Sequence, residues 1–196
     1  MKNDLICQTT NYDCGPTTVT NAMRFLFERE EIPPVVLKNI WTMGIDTYAD
    51  GGELGKAGTS KAAMRYMAAW FECFAEKCGF PVKSAFLDSD FAALYRGSLT
   101  WKCLERGGCA VVRCWHGDSG HYVLLTELLP DGMIGLFDPY DGEADESDPD
   151  RRPVYDDPKR KNRVVRAEIL NQTEKINYAM GDPDLREVLL FWRPDR

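Results

Sequence analysis

Long apolar runs are missing from this sequence of 196 residues, and none approaches the roughly 18–20 apolar residues that a membrane-spanning helix needs. The first residues, MKNDLICQ, contain no apolar segment of the kind that forms a secretory signal. Basic residues are in the minority, since 24 lysines and arginines stand against 31 aspartates and glutamates. The resulting net charge of -7 argues against nucleic acid as a partner. These absences predict a cytoplasmic protein without membrane insertion.

Cysteine pairs at metal-binding spacing are missing too. The seven cysteines form no C-x-x-C pair, and their odd number excludes a complete set of internal disulfides. There are only two histidines, His116 and His121, and although Cys114 precedes the first of them closely, no further ligand cluster accompanies it. We therefore expect reduced cysteines, no metal and no cofactor.

The composition is that of an ordinary globular protein, with 44% hydrophobic and 28% charged residues. The length suits one domain with a full core, so residues 1–196 are predicted to form a single domain. Apolar residues at helical spacing predict a helix from Cys14 to about Arg29, with Asp13 as its N-cap and Pro33-Pro34 as its stop. A loop is predicted at about 51–58. Further helices are predicted from Ser60 to Cys78 and at about 90–105.

Strand patterns dominate the second half of the chain. The runs CAVVRCW, HYVLLTEL and MIGLFDPY, joined by the short turns HGDSG and PDG, predict three antiparallel strands. VVRAEIL and REVLLFW are expected to complete the sheet. Between MIGLFDPY and VVRAEIL, about residues 141–163 are acidic and then basic, which predicts an exposed loop. Helices followed by an antiparallel sheet indicate an α+β fold.

A histidine and an aspartate fall at matching ends of two neighbouring strands. His121 opens the second strand of the trio, and Asp138 closes the third. Because antiparallel strands joined by a tight turn place the start of one beside the end of the other, these side chains should meet. An aspartate in this place can accept a hydrogen bond from one ring nitrogen and leave the other nitrogen as a base.

Cys14 is a candidate nucleophile on separate grounds. It stands between Asp13 and Gly15-Pro16, directly before the helical pattern. The positive end of the helix dipole and a nearby imidazolium both favour the thiolate, which is the reactive form. Gln8 contributes a side-chain amide that, with the backbone N–H of Cys14, could hold a developing oxyanion. These residues predict acyl-transfer chemistry at a Cys-His-Asp site.

The order of the motifs, Q-x5-C-G-P, then G-H-Y-V-L-L, then F-D-P, resembles that of the papain-like cysteine peptidases. It is most similar to their bacteriocin-processing branch, which trims double-glycine leader peptides, and to its stand-alone relatives. The resemblance covers about residues 8–140 and implies a papain-like fold, with N-terminal helices packed on an antiparallel β-sheet. It also implies that Gln8 is the oxyanion-hole residue and Cys14 the nucleophile. His121 would then be the general base and acid, and Asp138 the orienting residue.

The predicted reaction is hydrolysis of a peptide bond through a thioester acyl-enzyme, with a peptide or protein as the substrate. Two alternatives stay open. The same site could serve a Cys-dependent acyl transferase or deamidase, because these enzymes differ only in which nucleophile reaches the thioester. The fold could also serve as a non-catalytic peptide-binding module, although the four intact site residues argue against this. The sequence does not determine the substrate, the oligomeric state or any activating partner.

Overall fold

The structure is a computed structural model that describes residues 3–140, 142 and 146–194, and it confirms the predicted α+β class. The helices are α1 (Cys14–Leu26), α2 (Pro34–Gly44), α3 (Lys61–Cys78), α4 (Leu99–Glu105) and α5 (Ala167–Leu170). The strands are β1 (Lys83–Asp88), β2 (Cys109–His116), β3 (Ser119–Leu128), β4 (Met133–Phe137), β5 (Arg151–Pro153), β6 (Arg163–Arg166) and β7 (Glu187–Trp192).

These strands form one antiparallel sheet in the order β1-β7-β2-β3-β4-β6-β5. The consecutive strands β2, β3 and β4 pair as the predicted meander in the middle of the sheet. The last strand, β7, returns to pair between β1 and β2. The start of β3 and the end of β4 consequently lie side by side at one end of the central strands.

Helix α1 packs on one face of this sheet. Val19, Ala22 and Met23 are fully buried, as their helical spacing predicts. Burying a valine or methionine side chain contributes roughly 1.5–3 kcal/mol. The Oγ1 of Thr18 also donates a hydrogen bond of 3.0 Å to the backbone oxygen of Tyr122 in β3. These contacts fix the amino terminus of α1 beside β3, the strand that carries His121.

Gly15 lets a loop approach the beginning of α1 closely. A Cβ at this position would collide with the side chain of Thr59. The Oγ1 of Thr59 donates a hydrogen bond of 2.6 Å to the backbone oxygen of Gly44, the last residue of α2. The loop that precedes Thr59, predicted at 51–58, thereby joins α2 to the start of α1.

The first helix differs from its prediction at both ends. It ends at Leu26 rather than about Arg29, and Asp13 occupies the N-cap position without a side-chain hydrogen bond to the helix. Pro34, predicted with Pro33 only as a stop signal, is the first residue of α2. The first helical turn leaves its N–H groups unbonded, so proline, which lacks this group, is well suited to that position.

The other helix predictions hold in part. Ser60 caps α3 by accepting a hydrogen bond from the N–H of Ala63, and Gly79 ends the helix in the left-handed conformation. The helix predicted at about 90–105 is shorter, because Ser98 caps α4 and starts it late. Residues 89–91 form a 3-10 turn instead.

Two segments near the far edge of the sheet also differ from the sequence pattern. Residues 164–170, predicted as strand, divide into β6 and α5, since β-branched valines give way to the better helix formers alanine, glutamate and leucine. Within the predicted loop at 141–163, β5 pairs with β6 as an edge strand. Residues 141 and 143–145 of that loop lie outside the described residues.

Membrane insertion is a separate question. Among the described residues, no helix combines the length and the apolar character that a bilayer span requires. The 18-residue helix α3, for instance, exposes Arg65, Glu76 and Lys77.

Candidate active site

Cys14 is the first residue of α1 and is 6% exposed. The N–H groups of a first helical turn have no partners within the helix, and the positive end of the helix dipole lies there. The thiol of Cys14 is therefore in a position that favours negative charge. The packing of α1 on β3 directs this position towards the end of the sheet that carries His121.

His121 and Asp138 meet where β3 begins and β4 has just ended, in agreement with the hairpin argument. The Nε2 of His121 lies 2.7 Å from Oδ1 of Asp138, and the two residues are 6% and 1% exposed. The pairing of Leu124 with Phe137 sets the register that brings them together. Because Asp138 occupies Nε2, Nδ1 is the ring nitrogen left to interact with Cys14, which lines the same cleft.

The partners of His121 hold its imidazole in the charged form. Burial lowers the pKa of His121, but hydrogen bonds and charge interactions with Asp138 and Cys14 outweigh it and raise the pKa to about 9. Burial raises the pKa of Asp138, whereas the hydrogen bond and charge of His121, with donors from Tyr140 and Tyr178, bring it below its ordinary value. At neutral pH the pair is an imidazolium and a carboxylate, so Cys14 faces a positive charge.

Gln8 lines the same cleft as Cys14 and His121, a depression of about 350 Å³. The Nε2 of Gln8 donates a hydrogen bond of 2.9 Å to the backbone oxygen of Thr10. Its backbone N–H donates at 2.8 Å to the oxygen of Pro139. A primary amide carries two N–H groups, so one of them is available to a substrate oxygen. The predicted amide donor thus lies in the cleft beside the predicted nucleophile.

Two further groups donate to the carboxylate of Asp138, and the sequence predicted neither of them. The OH of Tyr178 donates to Oδ2 at 2.9 Å, and the backbone N–H of Tyr140 donates to Oδ1 at 2.9 Å. Tyr178 has a φ of 71°, a left-handed conformation that is strained for a tyrosine. Its neighbour Asn177 accepts a hydrogen bond from the N–H of Gly117 in the turn before β3. The segment before β7 is therefore part of the site, and its irregular backbone has no periodicity that could have revealed it.

We expect Tyr178→Phe to destabilise the protein by about 1–3 kcal/mol, because the buried carboxylate of Asp138 loses a hydrogen-bond donor. Urea unfolding measures this change. Tyr155→Phe is the matched control, since the OH of Tyr155 also donates to a carboxylate, that of Glu146 at 2.8 Å, but on the exposed surface. It should leave the unfolding midpoint almost unchanged. Equal midpoints for the two variants would contradict the role of Tyr178.

His116 lies beside the site, and no hydrogen bond joins its ring to Asp138 among the described contacts. Its ring centre is 5.5 Å from that of His121 and 4.8 Å from that of Tyr140. Burial and the positive charge of His121 lower the pKa of His116, so the two histidines differ in charge at neutral pH. In the part of the chain that the structure describes, no three His, Cys, Asp or Glu side chains are grouped so as to hold a metal ion.

Neither a scan against protein-family models nor a search of curated proteins finds a match for the chain. The assignment of a function therefore depends on the geometry of the site and on the motifs that supply its residues.

Proposed function

We propose that the protein is a thiol hydrolase of the papain-like type, which cleaves a peptide bond at a Cys-His-Asp site. The observation that carries the proposal is the grouping of three residues: Cys14, at the start of a helix, lines the same cleft as His121, and His121 is hydrogen-bonded to Asp138 at 2.7 Å. In such an arrangement the histidine activates the nucleophile, and the carboxylate fixes the ring and stabilises its charge. A cysteine on a helix facing a histidine and an aspartate on a sheet is also the arrangement that the family resemblance implies.

Acylation begins with attack by Cys14 and uses the positive charge of His121. The thiolate of Cys14 attacks the carbonyl carbon of the scissile amide, so that a C–S bond forms and the carbonyl oxygen becomes an oxyanion. The side-chain N–H of Gln8 and the backbone N–H of Cys14 donate to this oxygen. The imidazolium of His121 then gives its proton to the leaving nitrogen. The C–N bond breaks, the amine departs and a thioester remains on Cys14.

Deacylation returns the site to its starting state. The neutral imidazole of His121 takes a proton from water, and the oxygen of that water attacks the thioester carbonyl. The same two donors, from Gln8 and Cys14, stabilise the second oxyanion. The C–S bond breaks, the peptide leaves as a carboxylic acid that loses its proton to solvent, and the thiolate and imidazolium are restored. These steps need no cofactor.

The proposed substrate is a peptide or an extended protein segment, because the catalytic groups lie in an open cleft on the surface. We assign the activity to the cytoplasm. No disulfide links any of the described cysteines, and a reducing compartment keeps cysteines in that state.

A peptide-library digest in heavy-oxygen water, read by mass spectrometry, tests the proposal. Hydrolysis places one heavy oxygen atom in each new carboxylate, since that atom comes from the attacking water. A parallel digest with hydroxylamine intercepts the thioester as a hydroxamate. If fragments appear only as amides of an added amine, the enzyme is an acyl transferase. If no peptide is cleaved and Cys14 is unreactive, the hydrolase proposal is wrong and a peptide-binding role takes its place.

The pH dependence of the His121 charge gives a prediction that needs no substrate. The imidazolium is present below a pKa of about 9 and is lost as the pH rises through it. Asp138→Asn keeps an acceptor oxygen for Nε2 but removes the negative charge, so the titration of His121 should move down by about one pH unit or more. Proton NMR of the ring measures both midpoints, and His116→Gln assigns the two histidines. An unchanged midpoint would contradict the ion pair.

The same pair affects stability, and the sign follows from the direction of the shift. The pKa of His121 is raised from its ordinary value of 6.5, so the folded state binds the proton more tightly than the unfolded state. The stabilisation is complete below pH 6.5 and is lost as the pH rises through about 9. Asp138→Asn should flatten this loss in thermal unfolding.

A further inference from the structure

The carboxylate of Asp13 makes an unusual set of contacts for the residue that precedes a helix. An aspartate at the N-cap normally accepts a hydrogen bond from the first turn of its own helix. Asp13, which is only 4% exposed, makes no such bond. Its Oδ2 accepts instead from the N–H and Oγ1 of Thr9, at 3.1 Å and 2.8 Å, and its Oδ1 accepts from the N–H of Thr10 at 3.0 Å. The side chain is turned away from the helix, towards the segment that precedes it.

That segment carries Gln8. The backbone N–H of Gln8 is bonded to the oxygen of Pro139, the residue after Asp138, and its Nε2 is bonded to the oxygen of Thr10. The backbone of Gln8 is thus held by the residue that follows Asp138. Its side-chain amide is held by the oxygen of Thr10, whose own N–H donates to Asp13. The carboxylate of Asp13, one residue before Cys14, is therefore connected through Thr10 to the proposed oxyanion donor, Gln8.

We infer that Asp13 is a positioning residue that aims the amide of Gln8 at the oxyanion, an inference that rests on the proposed function. A donor stabilises an oxyanion only when it is held in place before the charge develops. Thr9 and Thr10 are exposed, so water can replace the carboxylate as their partner without unfolding the chain. Losing Asp13 would then loosen Gln8 while α1 stays packed.

The charge of Asp13 separates two kinds of reaction at Cys14. A carboxylate one residue before Cys14 opposes the thiolate, because two negative charges at one helix terminus repel each other. Its removal should consequently not slow reactions that need only the thiolate. If Asp13 acts by positioning Gln8, its removal should instead slow the step in which the oxyanion forms.

Two reactions of the Cys14 thiol separate the reactivity of the thiolate from the stabilisation of the oxyanion. Alkylation of Cys14 by iodoacetamide displaces iodide at a saturated carbon and forms no oxyanion. Acylation by p-nitrophenyl acetate forms a C–S bond through a tetrahedral oxyanion and expels nitrophenolate. We expect Asp13→Asn to slow acylation about tenfold while alkylation stays within about twofold of the wild-type rate or rises. Both rates are measured at Cys14 by peptide mass spectrometry.

Double substitution shows whether Asp13 acts through Gln8. Gln8→Ala alone should slow acylation by about 10²–10³-fold. Adding Asp13→Asn to Gln8→Ala should then have almost no further effect, because the group that Asp13 aims is gone. Multiplied losses in the double variant would overturn the inference.

Thr9 variants keep the inference testable should Asp13→Asn fail to fold. Thr9→Val removes one donor to Asp13 at an exposed residue, and Thr9→Ser retains it. We expect slower acylation only in Thr9→Val, by about threefold, with its thermal unfolding midpoint lowered by no more than about 2–4 °C because water can reach the exposed site of the lost donor. Suppose that the wild type is acylated but Thr9→Val and Thr9→Ser are acylated at the same rate, or that alkylation slows in Thr9→Val as much as acylation does. Either result would overturn the inference about Asp13 and leave the proposed function standing. A wild type that p-nitrophenyl acetate does not acylate at Cys14 would overturn the proposed function with it.

Discussion

Cys14→Ser is expected to reduce peptide cleavage to the uncatalysed background, a loss of at least about 10⁴-fold. The variant exchanges sulfur for oxygen at a residue that is 6% exposed, so α1 and its packing on the sheet remain. A hydroxyl at this place is too weak an acid to ionise beside His121, and the enzyme then lacks a nucleophile. Turnover of a cleaved library peptide, followed by mass spectrometry, measures the loss. Thermal unfolding of the same samples shows that the fold persists.

Cys73→Ser is the control for this substitution. Cys73 is an exposed cysteine on α3, remote in sequence and on a different element from the cleft. The Cys73→Ser variant should cleave the peptide at the wild-type rate. If Cys14→Ser keeps a tenth or more of the wild-type rate, the nucleophile is another group, and the account of the site is wrong.

His121→Ala is expected to cost about 10³-fold or more in turnover. The change removes the acid that protonates the leaving amine, the base that activates water and the cation that faces Cys14. It also leaves the carboxylate of Asp138, 1% exposed, without the ring that pairs with it. His121→Gln, whose amide can still donate to Asp138, separates the catalytic loss from a loss of folding. Steady-state kinetics should show kcat falling far more than KM changes.

His116→Gln is the matched control, because His116 is the other histidine of the chain and lines the same cleft. It has no hydrogen bond to Asp138 among the described contacts, and we expect its loss of turnover to stay below about tenfold. A large loss of turnover in His116→Gln together with a small loss in His121→Gln would assign the proton transfers to His116 and contradict the role of His121.

The parts of the site that the sequence predicted are those governed by local rules. The apolar spacing behind Cys14 places it at a helix start, since helical periodicity is a property of consecutive residues. The tight PDG turn forces β3 and β4 into a hairpin, and the hairpin brings His121 to Asp138. Both inferences needed only short-range geometry.

The parts that the sequence did not predict depend on long-range packing. Tyr178 lies 40 residues further along the chain and contacts Asp138 through a backbone conformation that no side-chain pattern predicts. The orientation of the Asp13 carboxylate away from α1 likewise could not be predicted from the sequence, because an aspartate directly before a helix predicts a side-chain cap. The return of β7 between β1 and β2 is a property of the topology and could not be inferred from local pattern.

The pH dependence of Cys14 alkylation by iodoacetamide, in wild type and in His121→Gln, tests the central claim most directly. If the cysteine and histidine form a thiolate–imidazolium pair, Cys14 is labelled rapidly well below about pH 8, and much more slowly once His121 is replaced. Peptide mass spectrometry separates its labelling from that of the exposed Cys73 in the same sample. Labelling of Cys14 that is no faster than that of Cys73 and indifferent to His121 would contradict the account.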